Sequence, residues 1–243
     1  MDKVEKKCVG ENALGLSRSE ELEKGQVISL SQVQVAAFEP ADERDPAMMD
    51  DVLLRAEKRR ERALSIVGRL DLLPKWSCCG SPIIVGAIRY GLVVALDIDV
   101  EIYSDNPSIG QGFEVMSRIA SLPGVWQVRF SNELDGPDQG LYWRIRYRDE
   151  AGDVWKVDNW LLSHDHPHAH WAERFAEAMQ KALADETRRA ILEIKEALLG
   201  EADIRGIDVY RAVLEGGVRS LSEFRHWMDE HRPSGIVLWL PSA

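Results

Sequence analysis

Cysteine is scarce in this sequence, with three residues among 243, and two of the three, Cys78 and Cys79, are adjacent. That number and spacing do not indicate a disulfide framework, and they lack the paired spacing of a zinc site. Apolar runs of the ~18 residues that cross a bilayer are also missing. The first residues contain no apolar core of a signal peptide. The expected location is therefore a reducing cytoplasm, with no membrane partner.

Basic residues are fewer than acidic residues, with 30 Lys and Arg against 41 Asp and Glu and a formal net charge of −11. Proteins that bind the phosphate backbone of nucleic acids usually present a basic face, so this balance argues against a nucleic-acid partner. The acidic excess suits a cationic small substrate, or it simply keeps the protein soluble. Charge alone does not decide between these two interpretations.

Helical and strand patterns alternate up to about residue 162, and only helical patterns follow. The predicted helices are 46–70, 110–120, one after Pro167, 185–199, 207–214 and one after a capping box at Ser220 and Glu223. The predicted strands are 83–85, 92–103, 125–130, 141–147 and 154–162. Residues 1–43 are expected to form an N-terminal arm, partly disordered. We therefore predict a mixed α/β domain over 44–163 and a helical C-terminal subdomain over 164–243.

The most informative stretch is the segment 97–101 (DIDVE), in which three carboxylates alternate with aliphatic residues inside an apolar run. Residues i, i+2 and i+4 of a strand share one face, so Asp97, Asp99 and Glu101 are expected to point the same way. At ~4 Å and an effective dielectric of about 20, each close pair of charges costs roughly 4 kcal/mol. Raised pKa values, arginines or a divalent cation would offset this cost. The alternative is a solvated strand face at a sheet edge.

A fourth acid, Asp158, occurs in the hydrophobic segment 155–160 (WKVDNW), where a charge is unexpected. Adjacent strands lie ~4.8 Å apart, so this carboxylate would converge with Asp97 and Asp99 if the two strands are neighbours. Three such carboxylates could bind one or two Mg²⁺ ions. Paired metal ions of this kind stabilise the attacking and leaving oxygens of phosphoryl or nucleotidyl transfer.

The run 85–100 (VGAIRYGLVVALDIDV) resembles the signature of the nucleotidyltransferase superfamily, a Gly-Ser pair followed by Asp-x-Asp, with a third carboxylate on a later strand. Gly86 matches the glycine, and Asp97 and Asp99 match the acidic pair, with nine residues between Ala87 and Asp97. Asp158 is the candidate third carboxylate. The resemblance covers approximately residues 60–162, and the helical segment 208–218 resembles the tails of small bacterial members.

The resemblance implies a nucleotidyltransferase-like mixed sheet flanked by helices, and an enzyme that uses Mg²⁺, with two ions expected, and an NTP as substrate. It implies that Asp97, Asp99 and Asp158 form the catalytic and metal-binding set. Gly86, Ala87, Arg89 and Lys156 are the implied nucleotide-binding residues. Lys156 shares the strand face of Asp158 and could instead only neutralise a carboxylate.

One departure from the signature concerns Ala87, which replaces the serine that would help to hold the phosphates. A Gly-Ser pair does occur upstream, but 15 residues separate Ser81 from Asp97. We therefore carry two hypotheses. The first is a Mg²⁺-dependent transfer of a nucleoside monophosphate from an NTP to a small-molecule acceptor. The second is a catalytically impaired fold of the same type that serves as a ligand-binding or interaction module.

Two polar clusters carry further alternatives. The segment 163–170 (SHDHPHAH) contains four histidines, which would form a transition-metal site, supply a proton-transfer group near Asp158, or belong to a polar loop that leads into the next helix. Arg144, Arg146 and Arg148 alternate along one predicted strand. They would contact a triphosphate, or they form an ordinary solvated face.

Overall fold

The computed structural model describes residues 51–201, 204–231 and 238–241. The predicted N-terminal arm, residues 1–43, lies outside the described residues. The helices are α1 (Val52–Arg69), α2 (Leu72–Trp76), α3 (Ala87–Tyr90), α4 (Ile109–Ala120), α5 (Trp171–Ala182), α6 (Asp185–Ala197), α7 (Gly206–Leu214) and α8 (Leu221–His231). The strands are β1 (Ser81–Val85), β2 (Asp97–Ser104), β3 (Val125–Asn132), β4 (Leu141–Arg148) and β5 (Val154–Ser163). The predicted fold class, a mixed α/β sheet flanked by helices and followed by a helical region, is confirmed.

The five strands form one mixed sheet in the order β1-β2-β5-β4-β3. β2 and β5 pair in parallel, and the other three pairings are antiparallel. A parallel pair needs a long crossover connection. Here that crossover contains α4 and the β3–β4 hairpin, so two distant stretches of sequence meet at the centre of the sheet.

One face of this sheet is apolar and packs on helices. Alternate residues of the central strands, such as Ile98 and Val157, point to this side and are fully buried. α1, α2 and α4 cover them through residues such as Ile66, Trp76 and Ile119. The period-2 pattern of the strands and the apolar stripes of the helices therefore build one core, which leaves the other face of the sheet for polar groups.

The helical C-terminal region has its own apolar cluster. Phe175, Met179, Ile191 and Val213 of α5, α6 and α7 are buried in it together with Tyr90. The predicted capping box starts α8, because the Glu223 backbone N–H donates to Ser220 Oγ (3.3 Å) and the Ser220 N–H donates to the Glu223 carboxylate (3.1 Å). The domain boundary at residue 163 stays a prediction, because Tyr90 and parts of α1 contribute to the helical cluster as well.

Two local predictions were wrong. The acidic strand starts at Asp97 and not at Leu92, since residues 91–96 form a turn and an irregular segment. The short helices α2 and α3 were missed, and α2 contains Pro74, which was expected to end a helix. Apolar runs of this length do not distinguish a strand from a buried connection, and proline is tolerated in the first turn of a helix.

In the described parts of the chain, no helix has both the length and the apolar composition that a membrane crossing requires.

Candidate functional site

The second face of the sheet carries the charged residues. Parallel pairing places Asp97 beside Lys156, Asp99 beside Asp158 and Glu101 beside Trp160. The β4 partners of these three β5 residues are, in the same order, Arg146, Arg144 and Tyr142. Directly paired residues share a face, so β2 is acidic, β4 is basic, and β5 is mixed between them.

Three carboxylates of this face converge. Oxygens of Asp97, Asp99 and Asp158 lie within 4.8 Å of one another. Asp158 is buried, and Asp97 and Asp99 are half-buried. The strand register thus brings together the three acids that the sequence singled out, and their role as metal ligands stays a prediction. Glu101, the third acid of β2, lies outside this trio.

Asp158 already has three partners. Its Oδ1 accepts hydrogen bonds from the Tyr142 hydroxyl (2.6 Å) and from Arg144 Nε (3.1 Å). Its Oδ2 lies 3.0 Å from Lys156 Nζ, which also lies 2.8 Å from Asp97 Oδ2. The Lys156 ammonium therefore bridges two of the three carboxylates and occupies part of the space between them. Both interpretations of Lys156, carboxylate neutralisation and phosphate contact, are compatible with this position.

The charge in this site is only partly balanced. The carboxylate of Asp99 makes no hydrogen bond or ion pair with a described residue, and Asp97 Oδ1 is a buried atom without a hydrogen-bond partner. It is one of three such side-chain atoms among the described residues. Lys156 and Arg144 supply two positive charges against three carboxylates. One negative charge therefore stays uncompensated in a half-buried place, which is costly unless a cation binds.

The pKa values follow from this imbalance. Burial raises the pKa of Asp99 to about 7, and the neighbouring charge of Asp97 adds to the effect. Burial also raises the pKa of Asp97, although Lys156 opposes that shift. For Lys156, burial lowers the pKa, but the charges of Asp97 and Asp158 outweigh burial and raise it above its ordinary value. Like charges held close together are typical of functional sites, where a ligand supplies the missing charge.

Gly86 makes the close approach to the acidic strand possible. Its backbone has φ of 69° and ψ of −158°, a conformation nearly restricted to glycine. A Cβ at this position would overlap the Asp99 carboxylate. Ala87 follows as the first residue of α3 and lines the same cavity. The guanidinium of Arg89 donates to the Ile84 carbonyl (3.5 Å) and is not part of the cavity wall, so its predicted nucleotide-binding role has no support from this geometry.

The turn after Gly86 is fixed by side chains from the helices. Gln180 Nε2 donates to the Arg89 carbonyl (3.2 Å), and Arg188 Nη1 donates to the Tyr90 carbonyl (2.6 Å). Lys195 Nζ donates to the Leu92 carbonyl (2.6 Å). Residues of α5 and α6 thus satisfy the backbone acceptors of a segment that no strand pairs with, and this keeps Gly86 against Asp99.

A cavity of about 610 Å³ lies between the charged sheet face and the C-terminal helices. Its walls include the carboxylates of β2, the Gly86 turn and the aromatic residues Trp160, Trp171, Phe175, Tyr90 and Tyr210. Cavities of this volume are typical of small-molecule sites. The arrangement can hold a nucleotide-sized ligand with its charged part at the sheet and its apolar part against the helices.

Lys195 is the residue of this cavity that sequence reasoning missed. Its ammonium donates to Leu92 O (2.6 Å) and to the Tyr210 hydroxyl (3.1 Å), and no carboxylate of the described residues pairs with it. A cation with a free N–H in a cavity suits an anionic group of a ligand. The only sequence signal for Lys195 was a charge next to the buried residues of α6. The sequence did not show which face of the sheet α6 would cover.

The histidine loop does not assemble a metal site. Among the described residues, the only group of three or more His, Cys, Asp or Glu that could hold a metal ion is the trio of aspartates. His166 Nε2 lies 3.0 Å from the Asp138 carbonyl, and the His170 ring stacks on Tyr103 with centroids 4.4 Å apart. These contacts support the interpretation of a polar loop that leads into α5.

Comparisons with known proteins give only a distant likeness. No family model matches the chain, and no curated protein matches it. Among solved structures, the Cid1 poly(U) polymerase with MgGTP bound is 14% identical, with a TM-score of 0.44, and the match covers 57% of this chain and 42% of that one. A Cid1 structure described for its RNA terminal uridylyl transferase activity is 13% identical, with a TM-score of 0.47, over 65% of this chain and 47% of that one.

This chain therefore spans less than half the length of the structures that it is similar to. At these identities and TM-scores the likeness is distant and concerns the fold alone.

Proposed function

We propose that this protein is a Mg²⁺-dependent nucleotidyltransferase that moves a nucleoside monophosphate from an NTP to a small-molecule acceptor. The proposal rests chiefly on the convergence of Asp97, Asp99 and Asp158 within 4.8 Å at the wall of a cavity of about 610 Å³. Three carboxylates on adjacent strands are an unfavourable arrangement without a cationic ligand. We keep a cytoplasmic location as part of the proposal.

The donor set fits magnesium. Carboxylate oxygens are its preferred protein ligands, and Asp97 Oδ1 is a buried oxygen without a partner. The Asp99 carboxylate forms no ion pair with a described residue, and the backbone of Gly86 lies close beside it. Asp97, Asp99 and Asp158 would hold the metal. When bound, Mg²⁺ would polarise the phosphate oxygens and offset the negative charge of the transition state.

The residues of the chain itself would position the two substrates. Lys195 would bind an anionic phosphate group of the NTP, and Lys156 would exchange part of its carboxylate contact for a phosphate. The acceptor hydroxyl oxygen would form a bond to the α-phosphorus and lose its proton to water, the bond from that phosphorus to the β-phosphate oxygen would break, and pyrophosphate would leave. Because three donors already contact Asp158, we assign it to holding the metal and not to accepting the hydroxyl proton.

The acceptor is the least constrained part of the proposal. The net charge of −11 favours a small molecule over a polynucleotide. The similar structures include a cytoplasmic RNA terminal U-transferase and a Cid1 structure described for its RNA terminal uridylyl transferase activity, so the expectation of no nucleic-acid partner has no support from them. A short RNA with a free 3′ hydroxyl is therefore the necessary comparison in any assay. Release of pyrophosphate with RNA alone would reassign the acceptor and leave the transfer chemistry in place.

The second candidate function is a ligand-binding module without catalysis. Two observations favour it. Ala87 offers no hydroxyl to a phosphate, and Lys156 already bridges Asp97 and Asp158 at 2.8 and 3.0 Å. If that ion pair persists when nucleotide is present, Mg²⁺ has no room between the two carboxylates.

Calorimetry with Mg²⁺ and a non-hydrolysable NTP separates the two functions. The enzyme is expected to bind the nucleotide in a Mg²⁺-dependent manner, and Asp97→Asn and Asp99→Asn are each expected to weaken that binding by about 10–100-fold or more. Asp135→Asn is the matched control, since it removes the same charge from an exposed loop. No binding at millimolar nucleotide, or binding that is indifferent to Mg²⁺, would favour the module.

A further inference from the structure

Glu101 is a carboxylate of the cavity wall that the proposed metal chemistry does not use. It lies on the same face of β2 as Asp97 and Asp99 but outside the trio of converging carboxylates. It also lines the cavity. Among the described residues, no lysine, arginine or histidine forms an ion pair with Glu101, although it is a half-buried acid. A half-buried charge of this kind needs a partner, and the cavity is where that partner would come from.

A chain of contacts fixes the orientation of Glu101. The Tyr103 hydroxyl donates to Glu101 Oε2 (2.6 Å) and accepts a hydrogen bond from the His170 backbone N–H (2.9 Å). The His170 ring stacks on Tyr103, and its Nδ1 lies 2.5 Å from Glu173 Oε2. One carboxylate oxygen is thereby used, and the side chain is held in one position. The other oxygen is left as a fixed acceptor for a ligand.

Aromatic side chains surround the same part of the cavity. Trp160 is the direct register partner of Glu101 on β5. Trp171 and Phe175 of α5 stack with ring centroids 4.9 Å apart, and both line the cavity. Faces of aromatic rings attract cations, and tryptophan does so most strongly. A carboxylate among tryptophans is the combination that recognises an ammonium group.

We propose that Glu101, with Trp160 and Trp171, forms the acceptor subsite and selects an acceptor that carries a cationic ammonium group. This inference rests on the proposed nucleotidyl transfer, because it names the class of the second substrate. Two residues along a strand span about 7 Å, so an ammonium bound at Glu101 lies one small molecule's length from Asp99. A hydroxyl on the same acceptor therefore reaches the carboxylates where the NTP is held.

A matched pair of hydroxyl-bearing probes tests the charge requirement. Choline and 3,3-dimethylbutan-1-ol have the same shape and differ in one positive charge. With Mg²⁺ and a non-hydrolysable NTP present, choline is expected to bind at least about tenfold more tightly than the neutral alcohol, as measured by tryptophan fluorescence and calorimetry. Equal binding of the two probes, or no saturation by choline at millimolar concentrations, overturns the proposal.

Variants assign the preference to Glu101. Glu101→Gln keeps the size of the side chain and is expected to abolish the choline preference while leaving Mg²⁺-dependent NTP binding unchanged. Glu114→Gln removes an equal charge from an exposed position of α4 and is expected to change neither quantity. Tyr103→Phe, which removes only the hydroxyl that positions Glu101, is expected to reduce the preference without abolishing it. A preference that survives in Glu101→Gln overturns the assignment.

The two proposals fail in different ways. If the wild-type protein binds no NTP but still prefers choline, the transfer chemistry is wrong and the cation site stands as a binding site. If Mg²⁺-dependent NTP binding is present and choline shows no preference, the transfer chemistry stands and the acceptor class is wrong.

Discussion

The two faces of the central strands differ in the charge of the polar groups that they leave without a partner. On the apolar face, every polar side-chain atom of the fully buried Asn159 has a partner, and among the described residues the unpartnered atom there is the neutral indole Nε1 of Trp143. Asn159 Oδ1 accepts from Trp76 Nε1 (2.9 Å), and Asn159 Nδ2 donates to the carbonyls of Trp143 (3.3 Å) and Val157 (3.2 Å). On the charged face, Asp97 Oδ1 is buried without a partner.

Asn159 lies on β5 and Asp97 on the neighbouring strand β2, and both have regular strand backbone. The difference between them therefore comes from the side-chain surroundings. Asn159 stabilises the packing of α2 on the sheet, and the protein needs nothing else to complete its hydrogen bonds. Asp97 Oδ1 and the Asp99 carboxylate have no hydrogen-bond partner among the described residues. A polar group that is satisfied within the fold serves structure, and one that is left unsatisfied at a cavity wall is prepared for a ligand.

Ile98→Ala should give the largest loss of stability, because it removes a fully buried side chain from the apolar face between Asp97 and Asp99. We expect the free energy of unfolding to fall by about 2–5 kcal/mol, from lost burial and the cavity that is left. Urea denaturation measures it. A loss below about 1 kcal/mol would show that the core of this sheet lies elsewhere.

Gly86→Ala should have the next largest effect. The positive φ disfavours a side chain there, and the added Cβ would overlap the Asp99 carboxylate. We expect a loss of about 2–3 kcal/mol, compared with about 1 kcal/mol for Gly217→Ala, which has a similar φ of 67° but open space around it. Denaturation of both variants in parallel compares Gly86 with a positive-φ glycine in open space, and equal losses would contradict the close approach to Asp99.

Asp99→Asn should stabilise the protein when no metal is present. The substitution removes the charge whose burial and repulsion by Asp97 raise the pKa of Asp99. At pH 8 in a chelator, we expect the free energy of unfolding to rise by about 1–2 kcal/mol. Added Mg²⁺ should raise the melting temperature of the wild type and not that of the variant. A variant that is less stable than the wild type would mean that Asp99 has a structural partner.

The smallest expected effect is a dependence on pH. Asp99 has a pKa of about 7 in the folded protein against an ordinary value of 3.8, so the folded state keeps a proton that the unfolded chain releases. The Asp99 contribution to stability is therefore fully present below about pH 4 and declines as the pH rises to about 7. The difference in unfolding free energy between wild type and Asp99→Asn, measured in chelator from pH 5 to 8, isolates this contribution from the histidines. A difference that does not change with pH would contradict the raised pKa.

The sequence predicted the shared face of Asp97, Asp99 and Glu101, because a period of two in a strand is a local property. The meeting of Asp158 with these residues depends on the β2–β5 register, which no local pattern sets. The same limit applies to Tyr142 and Arg144, whose contacts with Asp158 require knowing that β4 pairs with β5. Lys195 was out of reach for a different reason: its role depends on how α6 packs over the turn 89–92, and helix packing is decided by the whole core.

The anchoring of the turn 89–92 by Gln180, Arg188 and Lys195 has a consequence for how this protein can be shortened. A chain that stops at Ser163 would retain every strand and all four acids, but three backbone carbonyls beside Gly86 would lose the donors that hold them. The strands would remain, but the conformation of the turn beside Asp99 depends on donors from α5 and α6. During synthesis, these hydrogen bonds would form only after α6 has left the ribosome.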